Sequence, residues 1–342
     1  MPRPVEATML ASRRSPGPRV VVVTGGTAGV GRSTAEEFAR RGDAVAVLAR
    51  GQERLDATSE ALSGQGARCL AMAVDVADAA AVEAAAERVE AELGPIDVWV
   101  NSAMTSVFSP VAEVEAHEVE RVAAVNYLGS VNGVLAALRR MRPRDAGTIV
   151  QVGSALAYRA IPLQAAYCGS KFAIRGFVDS LRCELRHDGS NVRVTSVHLP
   201  ALNTPQFEWV RSRLPRHLRL VDRGDRLGVA ARAIEWASRH RRREVWVGAP
   251  TITTIVANRL APGLLDRYLA RTGFDAQQMD EPVRPSRADN LWEPAPGRHG
   301  AHGRFDDRAR ERSVVSQASR HRRLLAGALM AAAVGAAARS RS

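Results

Sequence analysis

Residues 20–31, VVVVTGGTAGVG, narrow the fold more than any other stretch of this chain. Four valines without a polar break describe a strand buried on both faces, the kind found in parallel sheets covered by helices. Thr24, Gly25, Gly29, Val30 and Gly31 follow within a glycine-rich turn, and 33–41 then carries a helical pattern with Phe38 and Ala39 as core candidates. Strand, turn and helix in that order make a phosphate cradle. Glycine lets the backbone approach a pyrophosphate, and the helix N-terminus offers N–H groups and the positive end of its dipole. An ordinary tight turn is the plainer alternative.

Short apolar runs keep alternating with helical stretches. Further strands are read at 44–49, at Leu70, Met72 and Val74, and at 96–100, 148–152, 192–199 and 244–247. This alternation predicts an α/β fold: a doubly wound, mostly parallel sheet of seven strands with helices on both faces and a ligand cleft at the carboxyl ends of the strands. The domain runs over 19–250, between a flexible leader at 1–18 and a C-terminal extension at 251–342. With 342 residues, 46% of them hydrophobic, the chain has material for a sizeable core.

One residue is singular for its chemistry. Of 48 basic residues, Lys171 is the only lysine. A chain that accepts arginine wherever a solvated positive charge will do keeps a lysine where a compact, rotatable ammonium is needed. Tyr167 stands four positions earlier, and on a helix that spacing brings phenol and ammonium to one face. A neighbouring cation stabilises phenolate and draws a tyrosine pKa down from about 10, which suits a general acid/base at an alcohol or carbonyl. Ser154, just past the strand at 148–152, could share the same substrate oxygen.

Ser154, Tyr167-x-x-x-Lys171 and the TGxxxGxG spacing of Thr24, Gly25, Gly29 and Gly31 together resemble the short-chain dehydrogenases/reductases, in the branch with a single dinucleotide-binding (Rossmann) domain. The resemblance spans 19–250. It implies hydride transfer between a nicotinamide cofactor and a carbonyl/alcohol pair, with Tyr167 as acid/base and Ser154 holding the reacting oxygen. Lys171 would depress the tyrosine pKa and bind the cofactor ribose. Asn126, inside a helical pattern and ahead of Tyr127, takes the place of the family's asparagine that holds a water against the lysine. Its alternative is a buried amide that satisfies backbone. Asp75 and Val76 fall at the adenine contact, Asn101 and Ala103 at the loop that supports sheet and cofactor, and Thr204 at the nicotinamide amide. The chain also departs from the family: Ser102 and Met104 replace an asparagine and a glycine, and Leu199-Pro200-Ala201 replaces the proline-glycine turn before Thr204. A homodimer or homotetramer through helices at 119–140 and 167–186 is implied as well.

Arg50 closes the second strand, where enzymes that use NAD tend to place a carboxylate on the ribose 2′-hydroxyl. An arginine there accepts the 2′-phosphate of NADP(H), so NADP(H) is expected in preference to NAD(H). One more solvated arginine is the alternative.

The net charge of +12 invites a nucleic-acid reading. Arg3, Arg13, Arg14 and Arg19 against Glu6 at one end, and Arg320, Arg322, Arg323, Arg339 and Arg341 at the other, account for +8 of it, and no nucleic-acid motif accompanies the rest. Cys69, Cys168 and Cys183 are odd in number and lack metal-ligand spacing, which fits a reducing, cytoplasmic setting and no metal. His299 and His302 have no cysteine partners. The leader has no continuous apolar stretch and does not read as a secretory signal.

Segment 203–225 sits at the family's substrate lid, and Phe207, Trp209, Val210, Leu214, Leu218 and Leu220 would close over an apolar substrate. Arg211, Arg213, Arg216 and Arg219 alternate with them, as a solvated face or as a handle for an anionic group. Past 250 the sequence reads as helix broken at Pro262-Gly263, then as an extended or disordered segment over 271–312. A short apolar helix at 324–338 is too short to span a bilayer and suits weak contact with a membrane surface or with the enzyme itself. The rival to an enzyme is a scaffold of the same fold that keeps the nucleotide and has lost turnover. The intact set Asn126, Ser154, Tyr167 and Lys171 argues against it, and Gly153-Ser154-Ala155 lacks the G-x-S-x-G elbow of a serine hydrolase.

Overall fold

A computed structural model describes residues 17–219, 227–282, 288–297 and 300. One parallel sheet holds β1 (Val20–Thr24), β2 (Ala44–Ala49), β3 (Cys69–Ala73), β4 (Ile96–Asn101), β5 (Thr148–Ser154), β6 (Arg193–Leu199) and β7 (Glu244–Trp246). The strands lie in the order β7-β6-β5-β4-β1-β2-β3. Seven helices surround it: α1 (Gly29–Arg40), α2 (Gln52–Ser63), α3 (Ala79–Glu92), α4 (Ala116–Ala123), α5 (Gly129–Met141), α6 (Ala165–His187) and α7 (Leu227–Arg239).

Side chains alternate across a strand, so the valines of β1 feed two cores. Val20 and Val22 join Ala46, Leu48 and Trp99 beneath α3, α5 and α6. Val21 and Val23 join Val45, Val47 and Val100 beneath α1, α2 and α7. The chain leaves β1 toward β2 and β3, then crosses back to β4 on the other side of β1. That reversal opens a crevice at the carboxyl ends of β1 and β4, where doubly wound sheets bind ligands.

The lid stretch is a short helix, Gln206–Trp209, followed by two short strands. Arg211–Ser212 pairs with Val107–Phe108, and Arg216–Leu218 pairs with Gln278–Pro282. Phe207, Val210, Leu214 and Leu218 pack with Phe108 and Leu163. Three of its arginines are tethers, which favours a paired face over an anionic handle for them. Arg211 and Arg213 both bind Glu118, which is fully buried on α4, Arg211 also reaches Asp289 at 2.9 Å, and Arg216 reaches Asp275 at 2.7 Å. Burial pulls the Glu118 carboxyl up, yet hydrogen bonds from Arg213, the Glu115 backbone and Arg211 outweigh it and hold the group down to about 2. Glu118→Ala leaves two guanidiniums without their shared acceptor and is expected to cost about 3 kcal/mol in urea unfolding. Glu115→Ala, whose carboxylate is largely exposed, should cost under about 1 kcal/mol.

Helices α8 (Ala249–Leu260) and α9 (Pro262–Thr272) follow β7, each with a proline in its first turn. Beyond them, the described part of 271–312 takes the extended alternative and is tied to the domain. Gln278–Pro282 is paired with the lid, and residues 288–297 lie on the domain, where Leu291 is buried against Val107 and Val122. A polar, proline-rich run orders here because its few apolar side chains find buried places and its carbonyls find arginines. The leader up to residue 16, Leu220, His299, His302 and the apolar stretch 324–338 lie outside the described residues. No helix among the described residues is long and apolar enough to cross a membrane.

Candidate active site

Two cavities meet at the carboxyl edge of the sheet. The first is a cleft of about 180 Å³ between the glycine turn and the ends of β2 and β3. Gly25 has a φ of +66°, and a Cβ there would come 2.7 Å from Ala103 Cα. A Cβ on Gly31 would come 2.2 Å from the Gly25 carbonyl oxygen. Only glycine fits so close a turn, which leaves bare backbone facing the cleft. Gly29, Val30, Asp75, Val76 and Ala103 line the same cleft, with Arg50 among its walls. Asp75 is held by Arg121 at 2.5 Å.

Thr24 and Asn101 support this cleft from behind. Thr24 Oγ1 accepts from the backbone N–H of Ser102 at 3.1 Å and of Ala103 at 3.2 Å. Asn101 is buried, accepting from Trp99 Nε1 at 2.9 Å and donating to the Ser130 carbonyl at 3.2 Å. Together they fix the loop that carries Met104.

The second cavity, of about 450 Å³, is mostly apolar, with Phe108, Leu156, Ile161, Leu199 and Phe207 in its walls and Leu265 and Leu269 of α9 closing one side. Val30, Ser102, Met104, Thr204 and Gln206 belong to both cavities and mark their junction. The altered turn at Pro200 does not carry Thr204 away: it lies 3.0 Å from the Cβ position of Gly29. Its Oγ1 is buried and has no partner among the described residues.

Ser154, Tyr167 and Lys171 all line the second cavity. Ser154 ends β5, where its hydroxyl accepts from the Leu156 N–H at 3.1 Å and bonds with the Tyr167 phenol. Tyr167 and Lys171 sit one turn apart on α6, with Nζ 5.5 Å from the ring centroid. Lys171 is buried and donates to the Val152 carbonyl at 3.0 Å. Burial pulls its ammonium down to about 8 and lifts the Tyr167 phenol above its ordinary value, with the Ser154 bond opposing. The expected depression of the phenol by the lysine is therefore corrected. Desolvation outweighs a cation that lies beside the ring and is bonded to a carbonyl.

Asn126 is fully buried in a wide helical turn at Ala124–Leu128, a kind of distortion frequent at functional sites. Its amide accepts from the Thr105 N–H at 2.8 Å and donates to the Thr105 carbonyl and to Ser170 Oγ, both at 3.0 Å. It ties the loop after β4 to the helix of Tyr167.

Several residues of the site carry no local signal in the sequence. Arg54, Asn290 and Pro294 also line the first cleft, as does Trp209, which the sequence reading places in the substrate lid, and the Arg54 guanidinium lies 5.1 Å from the Trp209 ring. His198 stands behind Ser154, its Nδ1 3.2 Å from the Ser154 carbonyl. A Cβ on Gly153 would come 2.5 Å from that nitrogen. Burial lowers His198 to about 4, so a neutral ring donates there.

The Lys171 shift has a consequence for stability. Between about pH 8 and its ordinary 10.5 an unfolded chain binds a proton here that the folded chain lacks, so stability rises with pH across that window. Below it both states are charged and the cost of burial is present in full. Lys171→Met is expected to abolish the rise, read as urea midpoints on either side of that window.

A family model described as short chain dehydrogenase matches residues 19–214. The uncharacterized oxidoreductase YxnA of Bacillus subtilis is 29% identical over 327 residues, covering 94% of this chain and 91% of that protein. The 3-ketodihydrosphingosine reductase of Bos taurus is 32% identical over 206 residues, covering 59% of this chain and 61% of that protein. Among solved structures, an alcohol dehydrogenase from the archaeon Thermococcus sibiricus complexed with 5-hydroxy-NADP superposes with a TM-score of 0.58 at 25% identity, over 67% of this chain and 95% of that one. A short-chain dehydrogenase from Streptomyces avermitilis shares the fold with a TM-score of 0.61 at 23% identity, over 76% of this chain and 96% of that one.

Proposed function

This chain belongs to the short-chain dehydrogenase family, and on that premise we propose that it is an NAD(P)(H)-dependent oxidoreductase acting on a carbonyl/secondary alcohol pair. The observation that carries the reading is the meeting of Ser154, Tyr167 and Lys171 in one apolar cavity that adjoins a glycine-walled cleft at Met104 and Thr204. The cleft suits a dinucleotide: a Cβ would fill the cradle at Gly25 and Gly31, and the partnerless hydroxyl of Thr204 suits a nicotinamide amide.

When bound, the dinucleotide supplies or takes up the hydride. The proton falls to the side chains. In the reducing direction Tyr167 gives its phenolic proton to the substrate oxygen while Ser154 holds that oxygen through its hydroxyl. A phenol kept protonated by burial is loaded for this step, and the Lys171 ammonium stabilises the phenolate left behind. Lys171 would also hold the cofactor ribose. Asn126 fixes the loop and helix that carry the set.

The apolar walls of the second cavity favour an apolar ketone or aldehyde as substrate. Arg50 favours NADP(H) over NAD(H) wherever its donors are free for a 2′-phosphate, and the Thermococcus neighbour was solved with an NADP analogue. Leu128 in the turn entering α5, Leu135 on α5 and Phe172 on α6, 41–48% exposed, support pairing of copies through this face as a homodimer or homotetramer. Three free cysteines suit a cytoplasmic setting.

Titration with NADPH and NADH, followed by loss of reduced-nicotinamide absorbance against a panel of apolar ketones and aldehydes, tests the reading. Turnover with either cofactor is the expected result. Failure to bind either dinucleotide overturns it, and tight binding without turnover on the panel favours a scaffold.

A further inference from the structure

Half-buried Arg50 spends its donors on the C-terminal extension. Its Nη2 donates to the main-chain carbonyl of Asn290 at 2.6 Å, and its Nη1 to that of Trp292 at 2.5 Å and of Leu291 at 3.4 Å. Asn290 and Pro294 are walls of the same cleft that the glycine turn lines. The segment is well anchored there. Leu291 is fully buried, and its carbonyl also accepts from Arg121 Nε at 3.1 Å. The Trp292 ring stacks on His117 at 5.8 Å. The Asn290 N–H donates to the Trp209 carbonyl at 2.9 Å, and Asp289 holds Arg211 of the lid.

A 2′-phosphate recognised by Arg50 needs the donors that these carbonyls already hold. It also brings negative charge toward carbonyl oxygens and toward Glu293 and Asp75, whose carboxylates both bear on the Arg50 charge. A ribose hydroxyl meets a different surface. β2 ends at Ala49 and is followed by Arg50, neither of which offers a carboxylate to accept from it, but Asn290 Oδ1 is buried with no partner among the described residues. That oxygen accepts from a hydroxyl and has nothing to offer a phosphate dianion.

We propose that residues 290–293 are a cofactor-selective strap. Latched on Arg50 it admits NAD(H), with Asn290 Oδ1 accepting from the adenosine ribose 2′-hydroxyl, and NADP(H) binds only the form in which the strap has left Arg50. The proposal rests on the dinucleotide reading above. Cofactor choice is then shared between Arg50, which favours a phosphate, and a distant segment that withholds it. Because release exposes Leu291 and gives up the carbonyl contacts of two arginines, the apparent affinity for NADP(H) is reduced by the latched fraction.

Leu291→Asp in the full chain sets a charge where a fully buried side chain packs and so opens the strap. Dissociation constants for NADH and NADPH are measured by fluorescence titration. The ratio of the NADPH to the NADH constant is expected to fall by about tenfold or more in the variant, and adding Arg50→Ala should cancel that fall. Hydrogen exchange on the unmodified chain needs no variant to fold: NADH should protect the amides of 289–293, and NADPH should release them. An unchanged ratio in folded Leu291→Asp, or equal protection by both cofactors, overturns the strap while leaving the dinucleotide site intact. Binding of neither cofactor to any of these proteins sinks the underlying reading, and the strap with it.

Discussion

Tyr167→Phe is expected to lower kcat by about a thousandfold while leaving the dissociation constant of the dinucleotide within about twofold. The substitution removes one hydroxyl and keeps the ring that lies 5.5 Å from Lys171 Nζ, so packing on α6 is preserved. In the proposed mechanism, what disappears is the proton that the substrate oxygen receives, together with the phenol that bonds with Ser154. Pre-steady-state measurement of a single turnover separates this loss from any change in product release. A loss smaller than about tenfold would mean that another group delivers the proton.

Gly31→Ala should cost about a hundredfold in dinucleotide affinity together with about 1–3 kcal/mol of stability. The added Cβ would meet the Gly25 carbonyl oxygen at 2.2 Å and the Gly25 carbonyl carbon at 2.8 Å. Both are backbone, so no flexible side chain can yield, and the turn that faces the cleft must move. Gly42→Ala is the matched control. It also changes a glycine, at a φ of +80° with open space around its Cβ position, and it should cost about 1 kcal/mol with no change in affinity. Affinity lost equally in both variants would show that the cleft is sensitive to global stability and not to the shape of the turn.

The seven-stranded sheet was legible because its signals are local. Apolar runs such as that of β1 have no other place to go than between two layers of helices, and the i, i+4 spacing alone sets Tyr167 and Lys171 on one face of α6. What escaped is non-local. Asn290 and Pro294 reach the first cleft from a segment with no periodicity, and Leu291 is a single apolar residue inside a polar, proline-rich run whose average composition reads as loose. The direction of the Tyr167 shift escaped for a different reason: a sequence displays the neighbouring cation and conceals the desolvation that outweighs it. His198 had no signal at all, because a lone histidine in a strand looks the same whether it fills space or backs a functional serine.

Arg50 and Leu291 are 241 positions apart. A ribosome extends β1, β2 and the glycine turn long before it releases the segment that latches onto Arg50, and domains assemble from the N-terminal side as they emerge. The nascent protein therefore passes through an interval in which the guanidinium is unclaimed and the first cleft lacks the wall that Asn290 and Pro294 supply.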